Sequence, residues 1–272
     1  MFYGSEFYTR AYLSTLDGFI MRARLLSLTI AVAAYGASFN VLADQADIDA
    51  ELSRYTTIIK GTDYAAQREL MKRLEWAGYS SNELYDAIAS ELTSRKDSTD
   101  SAEIKQAAWY ARSLASSGSE KYRPVLEDVA ANAHGKNVRK HANYSLDKIT
   151  KYRTWNAVIS NGLIQAPSGR LEQTRVANLL RADDVALLKT GAKRVYHEFN
   201  SDADLLTQVR QRLTVEWNRV DAKDGDSIDA VAWLIKAIGY AGDSESQALL
   251  TDIQTNSKIK KLVKYAKKSL KS

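Results

Sequence analysis

Residues 138–149 read VRKHANYSLDKI, and residues 262–272 read LVKYAKKSLKS. Both place small or branched apolar residues four apart, Val138, Ala142 and Leu146 in one and Leu262, Ala266 and Leu270 in the other. That is the spacing of one buried helix face. Working outward, residues 108–146 align without a gap on residues 232–270 at a shift of 124, with eleven of 39 positions identical. Trp109/Trp233, Gly118/Gly242, Lys136/Lys260, Lys140/Lys264 and Ser145/Ser269 are among them. Further upstream the match is fainter and the shift is 121: Arg54 falls on Arg175, Asp63 on Asp184, and Lys72-Arg73 on Lys193-Arg194. Three extra residues within WNRVDAKDGDS, residues 217–227, account for the change of shift.

The chain therefore reads as two copies of one helical unit, an all-α protein of about six helices per copy. Residues 44–150 form the first unit, 151–171 a connecting helix and loop, and 172–272 the second. Only two prolines interrupt 272 residues, so helices can run without breakers. Helices are expected near 46–60, 64–77, 81–95, 101–117, 120–132 and 136–149. Their counterparts are expected near 172–181, 184–199, 202–219, 227–241, 244–256 and 258–271. Ser80 with Glu83 and Asp100 with Glu103 have the spacing of capped helix starts, and Gly78, Gly118 and Gly242 stand where helices should stop. ITKYRTWNAVIS, 149–160, is expected to extend or add a helix, and NGLIQAPSG, 161–169, to be a loop.

Six helices in 121–124 residues make hairpins of about 41 residues, close to the roughly 40–47 of HEAT and armadillo repeats. The stretch from Ile104 to Ile149 resembles the HEAT-like repeats of phycobilisome-lyase-type and other bacterial solenoids. It has a small-residue helix, a glycine turn, an L-x-x-V/I helix and then Val138, Arg139, Ala142 and Leu146 in the V-R-x-x-A-x-x-x-L pattern. The second copy departs from the pattern at Val263, where the arginine would stand. The resemblance covers about 45 residues per copy. It implies an α-α superhelix of stacked antiparallel helix pairs with a binding role, and no particular chemistry.

Residues 21–43 have the three-part layout of a secretory signal peptide: Arg22 and Arg24, the apolar run LLSLTIAVAAY, then Val41-Leu42-Ala43 before DQAD. The apolar run is shorter than the roughly 20 residues that span a bilayer, which argues against an uncleaved anchor. Cleavage is expected after Ala43, and translation is expected to begin at Met21, leaving residues 1–20 as an upstream extension. The net charge of +5 falls to +4 on removal of three arginines and two acids. Export without a single cysteine fits a bacterial periplasm, with stability resting on the core alone.

No catalytic signature is present, and neither enzyme activity nor a cofactor is expected. His134, His141 and His197 lie in no metal-ligand spacing, and GYAGDS, 239–244, is not a phosphate-cradling loop. Asp183-Asp184 and Asp202/Asp204 sit at expected helix starts, where carboxylates suit the positive end of the dipole. Trp109 and Trp233 are expected to fill space between neighbouring hairpins, with a partner-facing role on a concave surface as the alternative. SKIKKLVKYAKKSLKS, 257–272, has seven lysines and no acid. Lys260, Lys264, Lys267 and Lys271 line one face of that helix, and Lys136 and Lys140 repeat the first two in copy one. A solvated cap explains such a face, and so does attraction to anionic partners.

The expected function is that of an exported scaffold binding an envelope protein through these eight residues. The alternative is a binder of anionic lipid or polymer through the lysines. Sequence-specific nucleic-acid reading is not expected, because the lysines are not interleaved with aromatics in the sequence.

Overall fold

The computed structural model describes residues 45–271, so the expected signal segment and the residues before it lie outside the described part. Among the described residues there are thirteen α-helices and no strand. Helix α1 covers 45–60 and is followed by α2 (Tyr64–Leu74), α3 (Asn82–Arg95), α4 (Ser101–Leu114), α5 (Arg123–Asn132), α6 (Lys136–Leu146) and α7 (Ile149–Ile159). After a connecting segment come α8 (Leu171–Arg181), α9 (Val185–Glu198), α10 (Ala203–Glu216), α11 (Gly225–Ile238), α12 (Ser244–Asn256) and α13 (Lys260–Ser269). None of the described helices is long and apolar enough to cross a membrane.

Local chemistry sets the starts. Asp63 and Asp184 each accept two backbone N–H bonds at the starts of α2 and α9, and Asp100 and Asp224 do the same for α4 and α11. Each bond satisfies a donor that the first turn of a helix leaves over. Asp202 caps α10, whereas Asp183 and Asp204 instead face Arg212 and Arg170. One cap differs from expectation. Ser81, not Ser80, caps α3, and the Ser80 hydroxyl donates across to Ser117 O at 2.8 Å.

The ends differ more. Residues 115–117 tighten into a 3₁₀ turn before Gly118 rather than continuing α4, and Gly118 leaves in the left-handed region at φ 64°. Gly242 does so at 67°. The stretch from Ile149 adds a separate helix, and a 3₁₀ turn at Leu163–Gln165 interrupts the expected loop.

Packing follows a regular order. Helix α4 packs on α2, α3 and α6, and α5 on α6; α11 packs on α9, α10 and α13, and α12 on α13. At positions shared by the two aligned stretches, the same contacts recur. Ser145 on α6 donates to Ala111 O on α4 at 2.7 Å, and Ser269 on α13 donates to Ile235 O on α11 at 3.2 Å. Asn132 donates to Asp128 at 2.8 Å and Asn256 to Asp252 at 2.6 Å. A buried polar knot secures the first half: Gln67 donates to Ile59 O and Gly61 O at the end of α1, and accepts from Gln106 and Tyr110 on α4.

Two apolar clusters result, and they divide along α8 and α9. Leu179, Ala182 and Leu187 join the first, while Val176, Leu180 and Leu188 join the second. Helix α7 packs on the turn before Gly118 and on α8. There Asn156 donates to Ser116 O at 2.8 Å and Asn178 donates to Ile159 O at 3.0 Å, so side-chain amides occupy the carbonyls left free at helix ends.

One ion cluster ties three helices. Asp229 on α11 accepts from Lys189 on α9 and from Lys261 on α13. The hydrogen bonds from Lys189 and then Lys261 hold its pKa down to about 2. Since the folded value lies below the ordinary 3.8, this stabilisation is complete above that value and is lost as pH falls toward 2. Asp229→Asn should therefore flatten the acid limb of a melting-temperature profile between about pH 4 and 2. Parallel limbs for wild type and variant would refute the assignment.

Candidate functional site

Trp109 on α4 and Trp233 on α11 are half-buried. Each rests one side on its own core cluster and presents the other outward. A cation covers each indole: Arg112 stands 5.6 Å from the Trp109 centroid, and Lys236 stands 3.6 Å from that of Trp233. Arg112 and Lys236 are themselves three residues beyond their tryptophans and match at the shift of 124. The next helix of the row supplies a flat ring beside each, His141 from α6 and Tyr265 from α13. Burial, then Arg112 and Lys140, push the His141 pKa down, which favours its neutral form.

The two sites differ in size. The first is a shallow hollow of about 230 Å³, with Ile104 and Asn137 at its edges. Its counterpart, of about 640 Å³, gains Tyr196 and Tyr240. Tyr196 lies 5.6 Å from Trp233 and 5.4 Å from Tyr240, edge-on and tilted, so the rings form one cluster. Lys236 also reaches the Tyr265 ring at 4.5 Å, and Lys193 reaches Trp233 at 5.1 Å. Lysines and aromatics are thus interleaved in space although not along the chain.

All six singled-out lysines are exposed: Lys136 and Lys140 on α6, Lys260, Lys264 and Lys267 on α13, and Lys271 just after it. None pairs with a carboxylate among the described residues. Lys261, by contrast, is held by Asp229. Lys271 lines the aromatic hollow beside Trp233, while the other five do not line it. The α6 and α13 lysines stand on different apolar clusters, the former on that of Val138 and Ala142 and the latter on that of Leu262 and Ala266.

A third concavity brings the two halves together. The N-terminal wall is α2, with Lys72 and Arg73, and the turn after it, with Trp76; the C-terminal wall is α9, with Lys193, Arg194 and His197. The volume is about 370 Å³. His197 lines both this cleft and the aromatic hollow. In the sequence Lys72-Arg73 and Lys193-Arg194 stand out only as a repeated pair. Their repetition on helices in equivalent positions was the available signal; that α2 and α9 would face one another was not readable from it.

The described residues contain no group of three or more His, Asp or Glu side chains placed to hold a metal ion. Comparison with protein-family models, curated proteins and solved structures finds no match for this chain.

Proposed function

We propose that the chain is a non-catalytic, exported helical-repeat protein, a HEAT-like superhelix, that serves as a protein–protein interaction scaffold in the bacterial periplasm. The ordered rows α2–α4–α6 and α9–α11–α13, each backed by a second set of helices, support the stacked-hairpin reading. The observation that carries the function is the repeated surface site: Trp109, Arg112 and His141 on one half, Trp233, Lys236 and Tyr265 on the other. Half-exposed tryptophan with a cation and a second ring is the composition of an interface anchor, and a core has no need of a charge there.

The test is recovery of a partner from periplasmic extract by the purified protein and by a Trp109→Ala/Trp233→Ala double variant. The wild type should hold a specific protein at moderate salt. The variant should lose it while keeping the helical circular dichroism of the wild type. Equal capture by both would refute the site, and capture of nothing would refute the scaffold.

The six unpaired lysines favour a second reading, binding of an anionic envelope lipid or polymer. Such binding weakens steeply with salt, because exposed charges are screened within about 10 Å at 0.1 M. Replacement of Lys260, Lys264, Lys267 and Lys271 by Gln should then release the protein from phosphatidylglycerol vesicles. Undiminished retention of the fourfold variant would exclude this reading.

A further inference from the structure

We infer that the cleft between α2 and α9 is a binding site for a phosphate group carried on a small organic body. The cleft adjoins the hollow of Trp233, since Lys193 also lies over the Trp233 ring at 5.1 Å, but the proposal does not depend on the scaffold reading. Four cationic side chains converge there from two walls, Lys72 and Arg73 from α2 and Lys193 and Arg194 from α9. Two carboxylates also line it, Glu172 and Glu198, and both are already engaged. Glu172 accepts from Arg175 at 2.7 Å and from Arg194 at 2.8 Å, and Glu198 accepts from Arg194 at 2.7 Å. Lys72 is held by Glu69 at 2.7 Å. Arg73 and Lys193 have no carboxylate partner among the described residues. The cleft therefore carries a surplus of positive charge, with one cation on each wall that no described carboxylate engages, Lys193 resting over the Trp233 ring.

That placement selects the ligand's chemistry. A planar carboxylate offers its two oxygens on one edge. A tetrahedral phosphate presents oxygens in several directions and can accept from both walls at once, a forked guanidinium on one side and an ammonium on the other. The rest of the lining is mixed: Trp76, stacked on Trp155 at 5.5 Å, a nearly covered Tyr55 on α1, Ala77, Thr190 and His197. The Trp76 indole is the flat apolar group available to the organic body. A volume of about 370 Å³ fits the range of small-molecule sites, roughly 300–1,000 Å³. Since α2 and α9 belong to different halves, an occupant would also cross-link them.

Isothermal titration of the purified protein tests this, with phenyl phosphate and inorganic phosphate as probes in a chloride buffer of fixed ionic strength. Phenyl phosphate should bind saturably and more tightly than inorganic phosphate. In Arg73→Gln/Lys193→Gln the affinity should fall at least tenfold. Neither side chain leaves a carboxylate orphaned when removed, so the variant should melt like the wild type. Lys60→Gln/Lys223→Gln removes the same charge from exposed positions outside the cleft and should leave the affinity unchanged.

Equal weakening in both pairs would overturn the site, since net charge alone would then explain binding. So would the absence of saturable binding of every probe. Flotation with phosphatidylglycerol vesicles identifies the source of the phosphate. Retention that the Arg73/Lys193 variant loses assigns it to a lipid headgroup, and retention lost only with the α13 lysines counts against the cleft.

Discussion

Arg175→Ala is expected to unfold at a much lower urea concentration than the wild type, with a loss of roughly 3–5 kcal/mol, the range for stripping one partner from a buried ion pair. Arg175 is wholly buried, the largest side chain in that condition. Its guanidinium donates to Glu51 on α1 at 2.7 Å, to Glu172 on α8 at 2.7 Å, to the Tyr79 hydroxyl, and through Nε to Ala77 O at 3.0 Å. It also stacks on the Tyr79 ring at 4.7 Å. Burial works against both charges. The hydrogen bond and proximity of Glu51 outweigh it for Arg175, whose pKa rises, and the bonds from Arg175, Tyr55 and Tyr79 outweigh it for Glu51, whose pKa falls. Without the arginine, the mostly covered Glu51 would keep only the Tyr55 and Tyr79 hydroxyls and no cation, and the Ala77 carbonyl would lose its donor.

The effect should pass through the orphaned partner more than through lost attraction. Arg175→Met combined with Glu51→Leu should recover much of the loss, because apolar groups of similar size need no compensation. A midpoint in Arg175→Ala within error of the wild type would remove this cluster from any account of how α1 is held to α8.

Gly118→Ala should be far more damaging than Gly242→Ala, although the two glycines match in the alignment and share a left-handed backbone. For either, an alanine at positive φ costs roughly 1–2 kcal/mol. At Gly242 nothing lies within 4 Å of the new methyl group, so the cost ends there. At Gly118 the methyl group would meet Arg153 Cα and N at 2.7 Å. These are backbone atoms of α7, which cannot swing aside as a side chain can. Forcing α7 outward adds roughly 1–3 kcal/mol of overpacking strain. It would also disturb the Asn156 bonds and the Arg153 bond to Gly118 O at 3.1 Å. Thermal melts of the two single variants decide the matter, and equal shifts would mean that α7 does not press on this turn.

Most of the helical content was legible because its causes are local. Aspartate caps, positive-φ glycines and apolar residues four apart each act within one or two turns, so Asp100, Asp184 and Asp202 could be placed without knowing their neighbours. The Ser80/Ser81 exchange marks the limit: either serine could cap α3, and a carbonyl 37 residues away claims the first. Of the candidate surface residues, the exposure of the lysines followed from the polar face of an amphipathic helix. The cations over Trp109 and Trp233 were readable only in hindsight as a residue three positions on. The Arg73–Lys193 cleft was not readable at all, because it depends on which faces of two distant helices meet.

The sequence by itself determined that this chain is helical and that residues 108–146 align on residues 232–270. Tertiary structure alone decided what each repeated residue does. Arg54 and Arg175 occupy matching positions, yet Arg54 lies exposed with its guanidinium 5.4 Å from the Tyr55 ring, while Arg175 is sealed between α1 and the Ala77–Tyr79 turn. The reason is physical: helix periodicity is encoded in every copy, whereas burial depends on what packs against it. Helix α8 has α1 and the turn after α2 to cover its arginine, and those elements come from the other half of the chain.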